Sequence, residues 1–590
     1  MPHLKSFHSL TPVGPTVNYY DFLLGRPELK SSSDYTLFVD AMTGKKRRFR
    51  ETLARIEECA TALNSAKKDG GLEIKPESKE VVGILSENCL EYPVLALALL
   101  KISVPVVFIP AHLPTDDTTA LLIRASIRTL FISPKLYARR LEAVMASGVP
   151  EERVFILQGH VEGKTNLSEL INNVKLRSLP SVPTQPVRSD TLACVMFSNG
   201  TAGFSKAAMI SHQNLYHSTV KAEIMRQMPG QENAPPATSE KIPISLAAIP
   251  FDHTTGANAF ILRLFVTPTT LVILPQWNVD LVVKILLQHT ITQITMVPSM
   301  MYQLLNHPEF SKVDLDNLES ISTSAGQLHS DFDEKFERRA DNASLTEGTC
   351  TLFLEERDPK SSRSRYGLSE RTLAVIAQPF PGVFKGRVER KRGLTGILPP
   401  GVKARIERGD GSEADFSEAE ELFLRGRGPS EGYFNDRKNT PENPTPIGRR
   451  RIGDRSVADE LAYVDRGVKE TFKFHGAHAS PSEIEKVIRG HPEVADCAIA
   501  GVRAVHDSGG FVPRAWLVLS ASAKAKGVDR ALKAIEKFVR DRVSERQWLH
   551  GGFEVIDEIP RLPSGKILRR QLQHTHESRE RRKVRELAKL

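Results

Sequence analysis

The chain has 590 residues, which is too long for one hydrophobic core and predicts more than one domain. Its composition, 40% apolar and 26% charged, is that of a soluble globular protein. The formal net charge of +9 is modest for this length. Because the basic residues are scattered and no RNA- or DNA-binding motif is present, we expect no nucleic-acid partner.

The cysteines and the apolar stretches bear on the compartment. The five cysteines are far apart and form no CxxC pair, which predicts reduced thiols in an intracellular compartment rather than a disulfide framework or a zinc site. Residues 1–10 lack the apolar core of a secretory signal. The most apolar stretch, 94–110, is interrupted by Lys101 and Pro105. It therefore predicts a buried helix followed by a core strand, and no membrane span.

The first part of the chain alternates between helical and strand-like patterns. Helical spacing covers 50–63 and 91–100, and the strand-like apolar runs are 80–85, 104–109 and 129–132. Such alternation predicts the α/β class, with a largely parallel sheet covered by helices. Loops rich in Pro, Ser and Thr, at 176–190 and 229–242, separate later segments.

After Asp465 the pattern changes to that of a small, separate unit. We predict helices at 481–489, with Ser480 as its N-cap, and at 528–543. Strands are predicted at 498–502 and 515–519, and the charged tail 574–590 is expected to be a solvated helix or a frayed end. The predicted domains are therefore 1–465 and 466–590.

The sharpest local motif is FSNGTAGFSK at 197–206, directly after the apolar run 191–196. Glycines allow the backbone to bend so that several N–H groups face one anion, and hydroxyls and a lysine add charge-assisted hydrogen bonds. The Gly-Lys-Ser/Thr of a Walker-type loop is absent. On its own the segment is equally an ordinary turn, so other motifs must decide its role.

Further motifs follow in chain order. They are PFDHTTG at 250–256, TMVP at 295–298, TSAGQL at 323–328, YGLSE at 366–370, EL, RG and GY between 421 and 433, GRRRIGD at 448–454, the segment 465–476, and PSGK at 563–566. Together they resemble the motifs of the adenylate-forming (AMP-binding) superfamily, which contains acyl-CoA synthetases, peptide-synthetase adenylation domains and luciferases. The segment 250–256, for example, resembles the family pattern P-x-F-H-x-x-G. Acyl- and aryl-CoA ligases are the most similar members.

The resemblance implies a large N-terminal adenylation domain with helix-covered sheets and a small, mobile α+β C-terminal domain. It also implies ATP-dependent conversion of a carboxylic acid to acyl-AMP, followed by thioester formation with coenzyme A. The implied cofactor is Mg2+, bound by Glu370, because carboxylate and phosphate oxygens suit this hard cation. Catalysis of this kind depends mostly on alignment and on neutralising developing charge.

The family's nucleotide-binding roles can be carried over to this sequence. By resemblance, the phosphates contact the loop, the adenine lies near Tyr366, Ser369 contacts the α-phosphate, and Asp454 binds the ribose hydroxyls. The complete implied set is Ser198, Asn199, Gly200, Thr201, Gly203, Lys206, Tyr366, Gly367, Ser369, Asp454 and Arg466.

Two further residues have implied catalytic roles. Lys566 would bridge the substrate carboxylate and the α-phosphate, although a lysine after a turn is otherwise an ordinary surface residue. His253 would control access to the acyl pocket, or else it serves only packing or capping. The implied acyl pocket consists of His253, Thr255, Ala259, Ser324, Ala325 and Gly326.

The C-terminal domain of the family rotates between the two half-reactions. Asp465 and Lys469 correspond to the hinge, and Lys473, His475 and Gly476 lie where coenzyme A approaches. The loop departs from the family pattern at Asn199, and extra residues lie at 346–365. These departures leave open a degenerate, non-catalytic protein that binds a nucleotide or an acyl group. A separate alternative is an acyl-AMP ligase that loads a separate carrier protein.

The last three residues, Ala588-Lys589-Leu590, resemble the small-basic-Leu peroxisomal address. We therefore expect a peroxisomal protein recognised by the import receptor, with the cytoplasm as the alternative.

Overall fold

The computed structural model describes most of the chain, and the statements below concern the residues that it describes. These are 4–5, 15–30, 32–198, 206–226, 242–323, 344–348, 363–368, 373–377, 397–408, 410–415, 418, 420–426, 432–436, 449–458, 464–465, 472–474, 477–479, 481–503, 511–543, 548–561 and 567–587. The chain divides into two compact units. The first unit comprises Met1–Ile452 and Val457–Asp465, and the second comprises Gly453–Ser456 and Arg466–Leu590.

The helices of the first unit flank its sheets. They are α1 (Tyr19–Leu24), α2 (Pro27–Lys30), α3 (Phe49–Asn64), α4 (Glu91–Lys101), α5 (Thr115–Arg124), α6 (Pro134–Ala146), α7 (Leu167–Leu176), α8 (His212–Arg226), α9 (Thr254–Ala257), α10 (Val279–Gln288) and α11 (Pro298–Leu305). A π-helical turn at Asn258–Leu262 follows α9, and 3-10 turns lie at Lys67–Asp69, Pro76–Ser78, Glu151–Arg153 and Pro308–Lys312.

Most strands belong to the first unit, although the strand Arg449–Ala458 includes Gly453–Ser456 of the second unit. They are β1 (Leu4–Lys5), β2 (Thr36–Asp40), β3 (Lys46–Arg48), β4 (Val82–Leu85), β5 (Val106–Phe108), β6 (Thr129–Ile132), β7 (Val154–Ile156), β8 (Leu192–Ser198), β9 (Lys206–Ser211), β10 (Ile244–Ala247), β11 (Thr270–Ile273), β12 (Gln293–Met296), β13 (Ser320–Thr323), β14 (Ser344–Gly348), β15 (Arg363–Leu368), β16 (Leu373–Ala377), β17 (Val402–Glu407), β18 (Glu420–Gly426), β19 (Gly432–Tyr433), β20 (Arg449–Ala458) and β21 (Val464–Asp465).

Two large sheets organise the first unit. A seven-stranded sheet has the order β19-β9-β8-β5-β4-β6-β7, in which β4 to β8 run parallel, β9 runs antiparallel to β8, and β19 runs antiparallel to β9. A nine-stranded sheet has the order β16-β15-β14-β13-β12-β10-β11-β2-β3, with antiparallel strands at its two edges. β17 pairs with β1 and with β18, and β20 pairs with β21. The largely parallel sheet predicted from the sequence is confirmed.

The apolar stretch 94–110 lies in the interior, as predicted. Every residue of α4 is buried, including Glu91 and Lys101, and β5 after it is fully buried. The two charges are paired: Arg47 donates to Glu91 at 2.7 Å, and the Lys101 ammonium lies 2.5 Å from Glu57. Ion pairing removes most of the cost of burying these charges, because an unpaired buried charge would be much less stable. Within the described part of the chain no helix has the length and apolarity to cross a membrane.

The second unit is a small α/β structure. Its helices are α12 (Pro481–Arg489), α13 (Ala521–Lys526), α14 (Val528–Arg540) and α15 (Arg569–Leu587), and its strands are β22 (Phe472–Phe474), β23 (Ala477–Ala479), β24 (Val494–Arg503), β25 (Phe511–Leu519) and β26 (Phe553–Val555). β24, β25 and β26 form one sheet, and β22 pairs with β23. The helices and strands predicted for this region are confirmed within a few residues at their ends.

The charged tail is helical from position 574 to Leu587, as one of the two expectations had it, and its side chains at 574–580 are exposed or partly exposed. α15 begins at Arg569, five positions before the predicted start, and its first turns pack on the sheet. Leu572 is buried, and the Gln573 amide donates to the Gly501 carbonyl at 2.7 Å. Arg569 donates to Glu485, which is 3% exposed. The start of this helix is therefore part of the domain core.

Candidate nucleotide and acyl site

The FSNGTAGFSK motif joins two antiparallel strands in the seven-stranded sheet. β8 lies between β5 and β9, and its residues from Ala193 to Met196 are fully buried. Ser198, the last residue of β8, is paired with Lys206, the first residue of β9. Residues 199–205 therefore connect two strand ends that lie side by side. Four predicted phosphate-binding residues of this segment lie outside the described residues: Asn199, Gly200, Thr201 and Gly203.

Lys206 contacts a second predicted motif. β19 pairs with β9, so that Tyr433 is opposite Ala208, and Phe434 donates its N–H to the Ala207 carbonyl at 2.8 Å. The Lys206 ammonium lies 4.9 Å from the centre of the Tyr433 ring. An ammonium over an aromatic face is attracted by the ring quadrupole. The ring thus holds the lysine beside the segment 199–205, a contact that the sequence did not predict.

Four other motifs follow strands of the nine-stranded sheet. β10, β12, β13, β14 and β15 are neighbours and all run parallel. The motif 250–256 follows β10, TMVP includes the end of β12, TSAGQL begins at the end of β13, and YGLSE begins in β15. Because the carboxyl ends of parallel strands lie at one edge, the described residues of these motifs lie toward the same edge, where α/β proteins bind ligands. Residues 324–328, 369 and 370 lie outside the described residues.

The segment 250–256 forms a tight turn followed by the start of α9. His253 donates its N–H to the Pro250 carbonyl at 3.1 Å. A side chain at position 256 would place its Cβ 2.0 Å from the Pro250 oxygen, so only glycine fits there. Glycine is therefore required at position 256, because α9 approaches this turn closely.

His253 is the N-cap of α9. Its Nδ1 accepts the N–H of Thr255 at 3.3 Å, which leaves the proton of the neutral ring on Nε2. Burial, and to a smaller extent the nearby His112, lower the pKa of His253 to about 4. The imidazole is therefore neutral at pH 7. Of the two interpretations of this residue, capping is observed in the structure, and control of the acyl pocket stays a prediction.

The predicted acyl-pocket residues of this region are small and lie on one helical face. Thr255 is fully buried, and Ala259, four residues later in the π-helical turn, is 9% exposed. Ser324, Ala325 and Gly326, which follow β13, lie outside the described residues.

Two buried polar residues that the sequence did not single out link the sheets at this edge. Asn88 follows β4 and donates to the carbonyls of Ile249 and Leu274 at 3.0 and 3.1 Å. Its Oδ1 accepts the N–H of Phe251 at 2.7 Å. Asp252 accepts the N–H of Ala111, which follows β5. In the sequence, only the polar triplet Ser86-Glu87-Asn88, directly after an apolar strand, indicated that polar contacts occur at this position.

Of the other predicted site residues, some are described by their backbone position only, and the rest lie outside the described residues. Tyr366 and Gly367 lie in β15 at an irregularity of its pairing with β16. Asp454 lies in β20, Asp465 in β21 and Lys473 in β22. Predicted residues outside the described part are Ser369, Glu370, Arg466, Lys469, His475, Gly476 and Lys566.

Comparison with protein families agrees with this arrangement of motifs. The model of the AMP-binding enzyme family matches residues 28–434, and that of the AMP-binding enzyme C-terminal domain matches residues 483–566. The chain belongs to the AMP-binding enzyme family. The resemblance inferred from the motifs is thereby confirmed.

Individual AMP-binding enzymes match along nearly the whole chain. The 4-coumarate--CoA ligase-like 2 protein of Arabidopsis thaliana is 26% identical over 550 residues, covering 91% of this chain and 87% of that protein. The crystal structure of the anthranilate CoA ligase AuaEII in complex with anthranoyl-AMP has a TM-score of 0.75 at 17% identity, covering 96% of this chain and 98% of that one. The benzoate CoA ligase of Burkholderia xenovorans LB400 has a TM-score of 0.73 at 19% identity, covering 94% and 100%. These similarities confirm the predicted fold class.

Proposed function

We propose that this AMP-binding enzyme is an ATP-dependent acid–thiol ligase that forms acyl-AMP and then an acyl-CoA thioester. The observation that carries the proposal is the placement of four family motifs at the carboxyl edge of neighbouring parallel strands β10 to β15. Relatives named as CoA ligases, which match along nearly the full length, support the same activity.

The first half-reaction joins the acid to AMP. A carboxylate oxygen of the substrate attacks the α-phosphorus of ATP, the bond to the bridging oxygen of the β-phosphate breaks, and pyrophosphate leaves. Lys206, beside the segment 199–205, supplies a cation for the β- and γ-phosphates, and Lys566 is assigned to the charge that moves between the carboxylate and the α-phosphate. Mg2+, assigned to Glu370, would neutralise phosphate charge when bound.

The second half-reaction transfers the acyl group. The sulfur of coenzyme A attacks the acyl carbon, the thiol proton is lost to solvent, and the bond to the AMP oxygen breaks. His253 is neutral and lies beside the small residues Thr255 and Ala259. We assign it to the boundary between the acyl group and the incoming thiol. Small side chains at 255 and 259 leave room for a bulky acyl group, and the aromatic acids in the names of several relatives agree with an aryl or arylalkenyl substrate.

A direct assay tests the proposal. The purified chain is mixed with ATP, Mg2+ and a panel of benzoic, cinnamic and medium-chain acids, and pyrophosphate and thioester are measured with and without coenzyme A. Thioester formed with at least one acid supports the proposal. Pyrophosphate without thioester, followed by loading of an added carrier protein, identifies the carrier-protein ligase instead. No pyrophosphate with any acid, from protein that binds ATP, identifies the non-catalytic alternative.

We also propose that the protein is imported into peroxisomes through Ala588-Lys589-Leu590, which follow the last residue of α15. The signal requires a free carboxylate at Leu590. A fluorescent tag at the N-terminus, with and without residues 588–590, tests this. Puncta that persist after the deletion, or diffuse fluorescence with the tripeptide intact, would contradict it.

A further inference from the structure

Asp252 is a buried carboxylic acid beside His253. It is 7% exposed, and its Oδ2 accepts the N–H of Ala111 at 2.8 Å. Ala111 follows β5 of the seven-stranded sheet, whereas Asp252 follows β10 of the nine-stranded sheet. The hydrogen bond therefore links loops that belong to two different sheets. In the family pattern P-x-F-H-x-x-G this position is Phe, so Asp252 departs from that pattern.

Within the part of the chain that the structure describes, Asp252 makes no salt bridge, and no cation acts on its pKa. The charged group that acts on the pKa of Asp252 is the acidic Glu87 after β4, and Asp252 in turn raises the pKa of Tyr92 at the start of α4. The Tyr92 hydroxyl is buried and makes no hydrogen bond within the described residues. Burial raises the pKa of Asp252 to about 7, and the Ala111 N–H partly opposes this shift. Asp252 is thus held by a hydrogen bond and not by a salt bridge.

The turn that carries His253 is fixed from both sheets. On one side, Asn88 accepts the N–H of Phe251 and donates to the Ile249 carbonyl. On the other side, Asp252 holds the loop after β5. Between these two anchors, the His253 ring is oriented by the N–H of Thr255. Removal of one anchor leaves the other in place, so we expect the turn to shift without unfolding of the unit.

We propose that Asp252 is a positioning residue for acyl-AMP formation, which orients the His253 imidazole by linking its turn to the loop after β5. The inference rests on the proposed function, because that function places His253 beside the acyl group. Asp252 acts through His253 and contacts no substrate.

The kinetic test compares three variants. Asp252→Asn keeps an acceptor for the Ala111 N–H, and Asp252→Leu removes it. Thr129→Val is the matched control, because it removes a buried side-chain hydrogen bond to Glu80. Thr129 is the first residue of β6, so it lies at the end of the seven-stranded sheet opposite to Ala111. We expect Asp252→Leu to lower kcat/KM for the acid by about tenfold to a hundredfold, as misplacement of a reacting group does. The KM for ATP should change little, Asp252→Asn should recover most of the loss, and the control should resemble the wild type.

A second readout does not depend on activity. The titration of the His253 ring is followed by NMR, with the resonance assigned through His253→Gln. In the wild type and in Asp252→Asn the imidazole should stay neutral down to a pH of about 4, whereas in Asp252→Leu its pKa should rise toward about 6.5, the value of a solvated histidine. If Asp252→Leu does not fold, Asp252→Ala removes the acceptor without added bulk.

The outcomes separate the inference from the proposed function. A wild type that forms neither pyrophosphate nor thioester refutes the function, while the titration still decides whether Asp252 positions His253. If the wild type is active, the inference is overturned when Asp252→Leu leaves the His253 titration unchanged, or when its kinetics match those of Thr129→Val.

Discussion

The ammonium of Lys206 lies 4.9 Å from the centre of the Tyr433 ring, although 227 positions of sequence separate the two residues. The contact exists because β19 adds to the edge of β9, with Tyr433 opposite Ala208. Lys206 is thereby held near the segment 199–205 before any nucleotide arrives. An ordered ammonium loses less conformational freedom when it binds phosphate than a fully mobile lysine would.

The first prediction concerns this contact. Tyr433→Leu removes the ring, and Tyr433→Phe keeps it and removes only the hydroxyl. A cation–π contact near the surface contributes about 0.5–1 kcal/mol, so Tyr433→Leu should raise the KM for ATP about twofold to fivefold. Tyr433→Phe should stay close to the wild type. Equal effects of the two variants in ATP–pyrophosphate exchange would show that the ring face has no role.

The second prediction concerns the link made by Asn88. Asn88→Ala leaves two carbonyls and one N–H without this partner, at a site only 3% exposed. Because an unpaired buried polar group costs about 1–3 kcal/mol, we expect the free energy of unfolding to fall by about 3 kcal/mol. Asn64→Ala, which removes a single side-chain bond to the Ile74 carbonyl, is the matched control. Denaturant unfolding of both variants measures the difference, and an equal loss would contradict the assigned role.

These two contacts also show where prediction from the sequence ends. The strand and helix patterns of 80–132 were readable because local periodicity reports which face of each element is buried. The motifs indicated the family because their order and spacing are visible in one dimension. The pairings of Lys206 with Tyr433, of Asn88 with Phe251 and of Asp252 with Ala111 join residues that are far apart in sequence. No local pattern encodes such partners, so only the sheet order revealed them.

The position of α15 illustrates the same limit at the scale of an element. The charged composition of 574–590 predicted a solvated helix or a frayed end, and 574–587 are indeed helical, but the packed start of this helix lies before that segment. Two residues, Leu572 and Gln573, pack or bond against the sheet of the second unit. One buried leucine is a weak signal in a charged sequence, so the start of the helix at Arg569 and its packing on the sheet were not predicted.

The third prediction is a pH dependence of stability. The pKa of Asp252 is raised by burial to about 7 in the folded chain, against about 3.9 in the unfolded chain. The carboxyl group of Asp252 therefore stays protonated to a higher pH in the folded chain than in the unfolded chain. For this reason the group lowers the free energy of unfolding as the pH rises from about 4 to about 7. Asp252→Asn lacks this cost. Relative to the wild type, its free energy of unfolding should gain about 2.5 kcal/mol more at pH 8 than at pH 5.

Unfolding curves of the wild type and Asp252→Asn at both pH values measure this gain. Taking the difference of differences cancels any effect of the substitution that does not depend on pH. His253 affects the free energy of unfolding in a different pH range, because its lowered pKa matters only between a pH of about 4 and about 6.5. A gain that is equal at pH 5 and pH 8 would mean that Asp252 titrates as a solvated carboxyl group.

The fourth prediction concerns Lys566. Lys566→Ala should abolish acyl-AMP formation, because no other cation is assigned to the charge between carboxylate and α-phosphate. Thioester formation from chemically prepared acyl-AMP should continue at nearly the normal rate. Lys533→Ala, at an exposed position of α14, is the control and should leave both steps unchanged. Normal pyrophosphate release by Lys566→Ala would remove Lys566 from the mechanism.

The last prediction tests the acyl pocket by size. Ala259 is 9% exposed and lies one helical turn after Thr255, so a phenyl ring at position 259 extends into the space assigned to the acyl group. Ala259→Phe should reduce kcat/KM steeply for the largest acid that the wild type accepts and little for the smallest. A single methylene in an apolar pocket already changes binding by about 1–3 kcal/mol, about tenfold to two-hundredfold, and a phenyl ring is larger, so the loss for the largest acid should be at least tenfold. The wild type and the variant are compared across a series of acids that differ only in chain length or ring substitution. A loss that is uniform across the series would indicate overpacking of the helix instead, and position 259 would then lie outside the pocket.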